Sequence, residues 1–246
     1  MGSTVVIIQA RMGSTRLPGK VMKDLSGKTV LAHDIERVKQ AEMVDAIIIA
    51  TTVAEADDGI VAEALKCGVK VFRGSEADVL SRYYLAATEN GADIVVRITS
   101  DCPLIDPKVI DNMVVAFKGG NYDIVTNAGS DSSQRTYPRG LDTEVFSYEA
   151  LQKAHNNAKE TYQCEHVTPY IYENAQKIFH YKNDVDYSQH RWTLDTNEDW
   201  QLIQKLYELL YHGEHNFYLA DILTVMKKNP ELFTINNNIE QKELGE

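Results

Sequence analysis

Three cations in a short loop near the N-terminus are the first residues that could do chemistry. Arg11, Arg16 and Lys20 lie in ARMGSTRLPGK at 10–20, directly after the apolar run Val5–Ile8. Cationic side chains form the charge-assisted hydrogen bonds that phosphate groups require. The chain carries a formal net charge of −11, so positive charge gathered in one loop indicates a site for a compact anion.

Small and hydroxylated residues in the same loop also suit a phosphate site. Gly13 and Gly19 let backbone N–H groups approach a ligand closely, and Ser14 and Thr15 add hydroxyl groups. The loop is not a Walker A motif, because the spacing of its glycines is wrong and Val21 stands where that motif has Ser or Thr. The alternative is a solvated basic loop, which does not explain why the cations follow a core strand.

Two acidic motifs further along the chain are candidate magnesium sites. Asp101, in RITSDCPLI at 97–105, and Asp195, in HRWTLDTNED at 190–199, each follow a predicted strand. Magnesium prefers one or two carboxylates, with water and phosphate oxygens completing its octahedron. Each aspartate also has a structural interpretation. Asp101 could cap the turn before Pro103, and Asp195 could support the start of the next helix.

Composition restricts the remaining function classes. The net charge argues against general nucleic-acid binding, which depends on basic surface. No apolar run approaches the roughly 20 residues that a membrane span needs, and no signal-peptide pattern is present, so a cytoplasmic location without a membrane partner is expected. Cys67, Cys102 and Cys164 suit a reducing compartment and have no zinc spacing. Cys102 has no His or Asn pattern beside it, which favours a packed residue over a nucleophile.

A regular alternation of strand and helix patterns must position these motifs. Such a rhythm predicts an α/β fold with a doubly wound, mostly parallel sheet. Ligands bind such sheets beyond the carboxyl ends of the strands. The loops after Ala10, Ala50, Phe72 and Ile98 should therefore share one edge. The predicted strands are Val5–Ile8, Ala46–Ala50, Val69–Phe72, Asp93–Ile98 and Tyr122–Thr126, and the helices are Thr29–Gln40, Asp57–Cys67, Asp78–Asn90 and Pro107–Lys118.

The alternation becomes less regular after about residue 128. This irregular segment should hold a substrate lid or a dimer arm, with tyrosines at 137, 162, 170 and 172 that suit either a contact surface or a core. The polar end, 236–246, is expected to fray. Strands are predicted at Leu141–Phe146, Lys177–Tyr181 and His190–Leu194, and helices at Ala150–Ala158, Cys164–Asn174 and Asn197–Tyr211.

The motifs taken in order resemble those of the cytidylyltransferases that activate acidic sugars, the acylneuraminate and 3-deoxy-manno-octulosonate cytidylyltransferases. The branch of spore-coat polysaccharide biosynthesis proteins is the most similar. The resemblance extends from Val5 to about Leu210. The matching segments are ARMGSTRLPGK at 10–20, SDCPLID at 100–106 and RWTLDTNEDW at 191–200, with support from VFRGSEADVLSRY at 71–83, PRGLDTEVF at 138–146 and EHVTPYI at 165–171.

This resemblance implies a Rossmann-like fold of the nucleotide-diphospho-sugar transferase type, with a small irregular α+β segment for dimerisation or substrate binding. It implies one nucleotidyltransferase domain over 1–235 and a homodimer. Within that domain, 1–128 would be the nucleotide-binding half, 129–196 the substrate and dimer segment that returns to the sheet, and 197–235 the C-terminal helices, followed by the tail at 236–246.

The resemblance also implies roles for individual residues. Lys20, Arg11 and Asp101 would be catalytic, and Asp101 and Asp195 would hold Mg²⁺. A guanidinium suits a sugar carboxylate, so Arg139 is expected there. The full nucleotide-binding set would be Ala10, Arg11, Gly13, Ser14, Arg16, Lys20, Arg73 and Thr99, and the substrate-binding set Arg139, Glu144 and His166.

Two departures from the family pattern leave the base and the sugar open. The octulosonate enzymes usually read GDEP where this chain has SDCP at 100–103, and they carry a base-contacting glutamine where this chain has Thr99. His166 has an alternative role as an ordinary polar residue on its helix.

The leading functional hypothesis is transfer of CMP from CTP to an acidic or surface-polysaccharide sugar, with release of pyrophosphate. A related glycosyltransferase would need a DxD metal motif, which Asp184-Val185-Asp186 matches literally, although in a late polar loop. A nucleotide-binding homologue without activity is a third possibility. The presence of Arg11, Lys20, Asp101 and Asp195 argues against it.

Overall fold

The computed structural model describes residues 2–240. The β-strands are β1 (Thr4–Gln9), β2 (Asp24–Leu25), β3 (Lys28–Thr29), β4 (Ala46–Thr52), β5 (Lys70–Gly74), β6 (Ile94–Thr99), β7 (Ile124–Thr126), β8 (Glu144–Ser147) and β9 (Ile178–His180). The α-helices are α1 (Val30–Val38), α2 (Asp58–Lys66), α3 (Val79–Glu89), α4 (Pro107–Gly119), α5 (Tyr148–Asn157), α6 (Thr161–His166), α7 (Pro169–Asn174), α8 (Asn197–Leu210) and α9 (Leu219–Lys228). Short 3₁₀ turns cover Lys20–Met22, Glu55–Asp57, Ser132–Gln134 and Pro230–Ile235.

Seven of these strands form one sheet, in the order β5-β4-β1-β6-β8-β7-β9. The first four are parallel, with Ile7 of β1 opposite both Ile48 and Arg97. β8 runs antiparallel between β6 and β7, and β7 pairs with β9 in parallel. The predicted α/β fold with a doubly wound, mostly parallel sheet is confirmed. The carboxyl ends of β1, β4, β5 and β6 share one edge, as expected for parallel strands joined by helices.

Both faces of the sheet are covered, because successive side chains of a strand point to opposite sides. Val6 and Ile8 of β1 pack into a cluster with residues of α1, α2, α4, α8 and α9. Val5 and Ile7 pack into a second cluster with residues of α3, α5 and α7. All four side chains are completely buried. Burying a side chain of this size contributes about 1.5–3 kcal/mol to the free energy of folding. β1 therefore lies at the centre of the hydrophobic core, with side chains in both clusters.

Three sequence-based expectations were wrong. A single helix over Cys164–Asn174 is replaced by α6 and α7, because Val167 takes a positive φ of 72° and Pro169 has no N–H to continue a helix. The predicted strand His190–Leu194 forms only one isolated bridge, between Arg139 and Arg191. Further along this segment, the Leu194 N–H donates to the Asp101 carbonyl, so no continuous ladder develops.

The third error concerns the polar C-terminal segment. Asn236 is 4% exposed and hydrogen-bonded within the fold, so fraying does not begin at this residue. Positions 241–246 of the predicted tail lie outside the described residues. The other predicted elements are present with ends shifted by a few residues, as is usual for helix and strand boundaries. Within 2–240, no helix is both long and apolar enough to cross a membrane.

Candidate active site

A cavity of about 720 Å³ opens at the carboxyl ends of β1 and β6. Gln9 and Thr99, the last residues of these strands, lie in its wall, together with side chains from the irregular half of the chain. The site therefore lies where a doubly wound sheet binds its ligands. Its charged lining residues are Arg16, Arg97, Asp101, Arg135, Arg139, Asp142, Glu144, Glu173 and Asp195.

A buried aspartate fixes the loop after β1. The Met12 N–H donates to Asp57 Oδ1 at 2.8 Å, while the Thr51 and Thr52 hydroxyls donate to Asp57 Oδ2. Burial opposes ionisation of Asp57, but these hydrogen bonds lower the pKa of its carboxyl below the ordinary value. A charged carboxylate therefore ties the loop to the end of β4.

Lys20 lies between the two predicted metal-binding aspartates. Gly19, with a left-handed φ of 65°, turns the chain into the 3₁₀ segment that begins at Lys20. Lys20 Nζ lies 2.7 Å from Asp101 Oδ2 and 2.8 Å from Asp195 Oδ1. Three residues far apart in sequence thus meet beside the cavity, as the motifs predicted, and Asp101 and Asp195 line it.

The charges of this cluster stabilise one another. Burial alone would lower the pKa of Lys20, but the charges of Asp101 and Asp195 outweigh it and raise that pKa above its ordinary value. Burial likewise opposes the charged form of Asp101, yet the Lys20 ammonium holds the pKa of this carboxyl below its ordinary value. Lys20 and Asp101 are therefore both charged near neutral pH.

Further contacts orient each carboxylate. The Thr99 hydroxyl donates to Asp101 Oδ1 at 2.6 Å, so Thr99 lines the cavity and supports Asp101. Arg16 Nη2 lies 3.3 Å from Asp195 Oδ2, and Arg191 Nη2 lies 3.0 Å from the same atom. Of the three cations predicted in the first loop, Arg16 lines the cavity, and Lys20 contacts two aspartates that line it.

Arg11 and Arg73 lie elsewhere. The side chain of Arg11 is 46% exposed and its Nη1 is 3.4 Å from Glu76 Oε1, outside the lining of the cavity. Arg73 donates to Asp58 and to the carbonyls of residues 52 and 54, so it secures the loop after β4. The structure brings neither guanidinium into the cavity, and their contact with a nucleotide stays a prediction.

The remaining predicted nucleotide-binding residues form the body of the loop. The Ala10 N–H donates to the Ala50 carbonyl and extends the pairing of β1 with β4. Ser14 Oγ accepts the Leu17 N–H at 3.4 Å. Gly13 is exposed, and a Cβ placed there would lie 3.4 Å from Glu76 Oε1. These three residues shape the loop without lining the cavity itself.

Glu144 is enclosed by protein donors. Arg97 Nη1 donates to its Oε2 at 2.6 Å, and Thr168 Oγ1 and the Tyr172 hydroxyl donate to its Oε1. Burial would lower the pKa of Arg97, but Glu144 raises it above its ordinary value. Glu144 lines the cavity as predicted, but its contacts favour a role in orienting Arg97 over direct substrate binding.

Arg139 differs from its neighbouring cations because it has no carboxylate within ion-pair distance among residues 2–240. Arg135 Nη1 and Nη2 both bond to the Asp142 carboxylate, whereas for Arg139 no side-chain hydrogen bond or ion pair is found within the described chain. Burial and the like charge of Arg135 lower the pKa of Arg139 below its ordinary value. An uncompensated guanidinium in a cavity suits an anionic ligand.

The backbone next to Arg139 leaves no room for a side chain. Gly140 has a φ of 99°, and a Cβ there would lie 2.5 Å from the Trp192 carbonyl carbon. The Arg139 N–H donates to the His190 carbonyl, and the Trp192 N–H donates to the Arg139 carbonyl at 2.7 Å. Glycine is required at this crossing, which places Arg139 in the cavity wall.

His166 also lines the cavity, beside a strained turn. The Thr168 N–H donates to the His166 carbonyl at 2.8 Å, and Val167 between them has φ 72° and ψ −56°. These values define a classic γ-turn, which is rare and strained for a β-branched residue. Such strain is concentrated at functional sites. Burial lowers the pKa of the His166 ring, which favours the neutral form at pH 7.

Two alternative chemistries find no support in the geometry. Cys102 is buried, and burial together with the charge of Asp101 raises the pKa of its thiol well above the ordinary value, which makes it a poor nucleophile. The sequence Asp184-Val185-Asp186 lies outside the cavity lining, where Asp186 accepts the Ser188 N–H and Val185 is 53% exposed. A DxD-type metal site at the cavity is therefore not formed by this triplet.

The donor set at Lys20 fits magnesium better than a metal that needs a full protein cage. Residues 2–240 contain no group of three or more His, Cys, Asp or Glu side chains arranged to hold a metal ion. Asp101 and Asp195 are two carboxylates in one wall, and Mg²⁺ is commonly bound by one or two carboxylates with substrate phosphates. These two residues fit a magnesium ion that arrives with a phosphate ligand.

Several site residues were not found from the sequence. Arg97 carried the best signal, since it is the one charged residue of the otherwise apolar strand IVVRIT. Gln9 Oε1 and Arg97 Nε are buried with no hydrogen-bond partner among the residues described, as expected for groups that await a ligand or water. The other missed residues are Asp57, Arg135, Asp142, Arg191 and Asp199.

Comparison with known proteins agrees with this geometry. A family profile described as cytidylyltransferase matches residues 5–229. The spore coat polysaccharide biosynthesis protein SpsF of Bacillus subtilis is 34% identical over 247 residues, which cover 95% of this chain and 98% of that protein. A 3-deoxy-manno-octulosonate cytidylyltransferase of Anaeromyxobacter sp. (strain K) is 38% identical over 124 residues, 49% of each chain.

A solved structure extends the similarity to the whole fold. The cytidylyltransferase from Leptospira borgpetersenii superimposes with a TM-score of 0.89 at 37% sequence identity, covering 99% of this chain and 100% of that one. The resemblance inferred from the motifs is confirmed. The chain belongs to the cytidylyltransferase family.

Proposed function

We propose that this member of the cytidylyltransferase family transfers CMP from CTP to a sugar that carries a carboxylate, and releases pyrophosphate. The observation that carries the proposal is one cavity with two kinds of anion site. Lys20 lies between Asp101 and Asp195, which line the cavity, and Arg139, with no carboxylate within ion-pair distance among residues 2–240, lines it as well. The first arrangement suits a triphosphate with its cation, and the second suits a carboxylate.

In the proposed reaction, a sugar hydroxyl attacks the α-phosphorus of CTP in line. The bond from the α-phosphorus to the oxygen that bridges it to the β-phosphorus breaks, pyrophosphate leaves with that electron pair, and the hydroxyl proton is released. Lys20 and Arg16 lie where they would stabilise charge that develops on the α-phosphate and the leaving group. Magnesium bound by Asp101 and Asp195 would neutralise phosphate oxygens and align them.

The second substrate is proposed to bind at further side chains that line the same cavity. Arg139 would hold the sugar carboxylate, and Arg97, fixed by Glu144, would face the sugar from the end of β6. A neutral His166 can donate one hydrogen bond and accept another, which suits sugar hydroxyls. A reaction of this type depends on holding the two reactants in register, and fixed side chains supply that.

A pyrophosphate-release assay tests the proposal. Enzyme, CTP and MgCl₂ are combined with each of a panel of sialic and octulosonic acids, with neutral sugars as the control. The expected result is pyrophosphate that depends on both CTP and an acidic sugar. A glycosyltransferase would release no pyrophosphate, and an inactive homologue would bind CTP without turnover. Omitting MgCl₂ and adding EDTA should abolish the signal if Asp101 and Asp195 work with magnesium.

A homodimer is also proposed, on the basis of the family. Tyr137 is buried and Tyr172 bonds to Glu144, so among the tyrosines considered for an interface Tyr162, 36% exposed, is the most accessible. Light scattering should give twice the mass of one chain, and the mass of a single chain would reject the dimer.

A further inference from the structure

The chain returns to the active site after its last α-helix. The 3₁₀ segment Pro230–Ile235 packs against α8 and α9 through the buried Leu232, and Asn236 follows it. Asn236 is the first residue of the polar C-terminal segment 236–246, yet it is 4% exposed. Its two neighbours, Asn237 and Asn238, are exposed. Burial of this one amide therefore needs a reason.

Asn236 donates to the residues that stand behind Asp195. Its Nδ2 lies 2.8 Å from Asp199 Oδ1 and 2.9 Å from the Arg191 carbonyl. Asp199 is completely buried, so a donor to its carboxylate is worth more than it would be in water. The side-chain amide of Asn236 thus donates to two acceptors, one in the segment before α8 and one within α8.

Asp199 positions Asp195 through two sets of hydrogen bonds. Its Oδ2 accepts the backbone N–H groups of Asp195 and Thr196, both at 3.0 Å. Its carboxylate also holds Arg191, with Nε at 2.9 Å from Oδ1 and Nη2 at 3.1 Å from Oδ2. Arg191 Nη2 in turn donates to Asp195 Oδ2 at 3.0 Å. Backbone and side chain of Asp195 are both fixed from the same buried carboxylate.

We propose that Asn236 is a positioning residue for Asp195, acting through Asp199 and Arg191. This inference rests on the role proposed above for Asp195 and Lys20 at the triphosphate. Active-site groups must be held within about 0.5 Å of their productive geometry, and without Asn236 the Oδ1 atom of Asp199 loses one of its two donors in the described chain and keeps only Arg191 Nε. Asn236 lies beyond the residues 5–229 that the family profile matches.

The competing explanation is that Asn236 has a purely structural role. In that case Asn236 would only hold the C-terminal segment in place, and its loss would lower the melting temperature without a specific effect on chemistry. The two explanations differ in how Asn236 and Asp195 combine. Residues that act through one another give non-additive effects, and independent residues give additive ones.

The experiment is a double-mutant cycle with a matched control. Asn236→Ala, Asp195→Ala and the double variant are compared with wild type, and Asn237→Ala serves as the control at the exposed neighbour. The readouts are kcat, the sugar KM, and the Kd for CTP with MgCl₂, measured by calorimetry without sugar so that no turnover occurs. Loss of a supporting group behind a ligand typically costs 10–100-fold. We expect Asn236→Ala to lower kcat about 10-fold at unchanged sugar KM, and Asn237→Ala to change nothing.

In the Asp195→Ala background, Asn236→Ala should have less than about a two-fold further effect on Kd and kcat. An equal effect in both backgrounds, or an Asn236→Ala enzyme with wild-type kcat and Kd, would overturn the proposal. If Asn236→Ala does not fold, Asp199→Asn, which keeps the volume and removes the charge, enters the same cycle with the same criteria. Failure of the proposed function has a different signature, because wild type itself would then release no pyrophosphate with any acidic sugar.

Discussion

Two groups of cations at the cavity differ in their carboxylate partners. Lys20 and Arg16, the cations of the first loop, both contact carboxylates, with Lys20 shared between Asp101 and Asp195. In the second group, Arg97 and Arg135 are fixed by Glu144 and Asp142, while Arg139 has no carboxylate within ion-pair distance among residues 2–240. The first group, with Asp101 and Asp195, forms a charge-balanced cluster. The second group forms a rigid frame around the open guanidinium of Arg139.

This difference indicates how each group of cations would bind its ligand. A triphosphate must compete with Asp101 and Asp195 for Lys20, so binding there requires an exchange of partners, for which a divalent cation is suited. A carboxylate that binds Arg139 would displace no ion-paired carboxylate of the described chain. An ion pair formed in a partly buried site is stronger than one at the surface, so the open guanidinium should contribute affinity directly, and the balanced cluster should contribute mainly to the transition state.

The largest effect is expected at the centre of the balanced cluster. Lys20→Ala removes a pre-organised charge donor and should lower kcat by ~10²-fold or more, with a smaller change in the sugar KM. Steady-state kinetics with the acidic sugar give both values. Lys118→Ala, at an exposed position of α4, is the control for loss of a lysine charge. Wild-type turnover in Lys20→Ala would remove Lys20 from the mechanism.

The open guanidinium should show the opposite kinetic pattern. Arg139→Ala should raise the sugar KM about 10–100-fold, because hydrogen bonds between charged groups are worth about 1.5–3 kcal/mol each. The CTP Kd should stay at the wild-type value. Arg139→Lys should recover part of the loss, since an ammonium keeps the charge without the planar fork. An unchanged sugar KM in Arg139→Ala would show that the carboxylate binds elsewhere.

The rigid frame should respond in stability as well as in binding. Glu144→Gln keeps the shape of the side chain and removes the charge that faces Arg97 in a buried setting. We expect a loss of about 1–3 kcal/mol in the free energy of unfolding, measured by urea denaturation. Glu149→Gln, on the exposed surface of α5, is the matched control. Equal stability of the two variants would contradict the role assigned to Glu144.

The smallest effect concerns protonation of His166. Its folded pKa is lowered from 6.5 by burial, with Arg97 adding to the shift. The unfolded chain therefore binds more protons than the folded one below about pH 6.5, so this residue's contribution to stability is complete above that pH and falls as the pH drops toward the folded pKa. An NMR titration, assigned with His166→Gln, should place the midpoint below 6.5. A midpoint at or above 6.5 would contradict the lowering of the His166 pKa by burial.

The parallel half of the fold could be predicted from the sequence because its signals are local. β-branched runs such as Val5–Ile8 and helix boundaries such as Pro107 carry their own pattern. The meeting of Lys20 with Asp101 also follows from this, since the parallel strands β1 and β6 place their carboxyl ends together, whereas Asp195 follows a segment that forms only one isolated bridge. The sequence predicts that these residues meet, and the structure adds that Lys20 lies between the two carboxylates.

The rest depends on contacts between distant segments. Nothing local separates Arg135, which is paired, from Arg139, which is open, because the difference lies in where Asp142 points. In the segment Cys164–Asn174, Pro169 is a local signal for a helix break that the prediction of one continuous helix overlooks, whereas the positive φ of Val167 has no signal in the sequence. Asn236 stands among other polar residues with no periodicity, and only the position of Asp199 distinguishes it from Asn237.

The most direct test of the central claim is to follow the α-phosphorus of CTP. Wild-type enzyme is incubated with CTP, MgCl₂ and an acidic sugar, and ³¹P NMR with mass spectrometry identifies the products. We expect one CMP-sugar phosphodiester and one pyrophosphate for each CTP consumed. Transfer should be lost in Lys20→Ala and should require higher sugar concentrations in Arg139→Ala. CTP that binds but stays intact with every acidic sugar, or phosphorus that appears in any product other than a CMP-sugar and pyrophosphate, would contradict it.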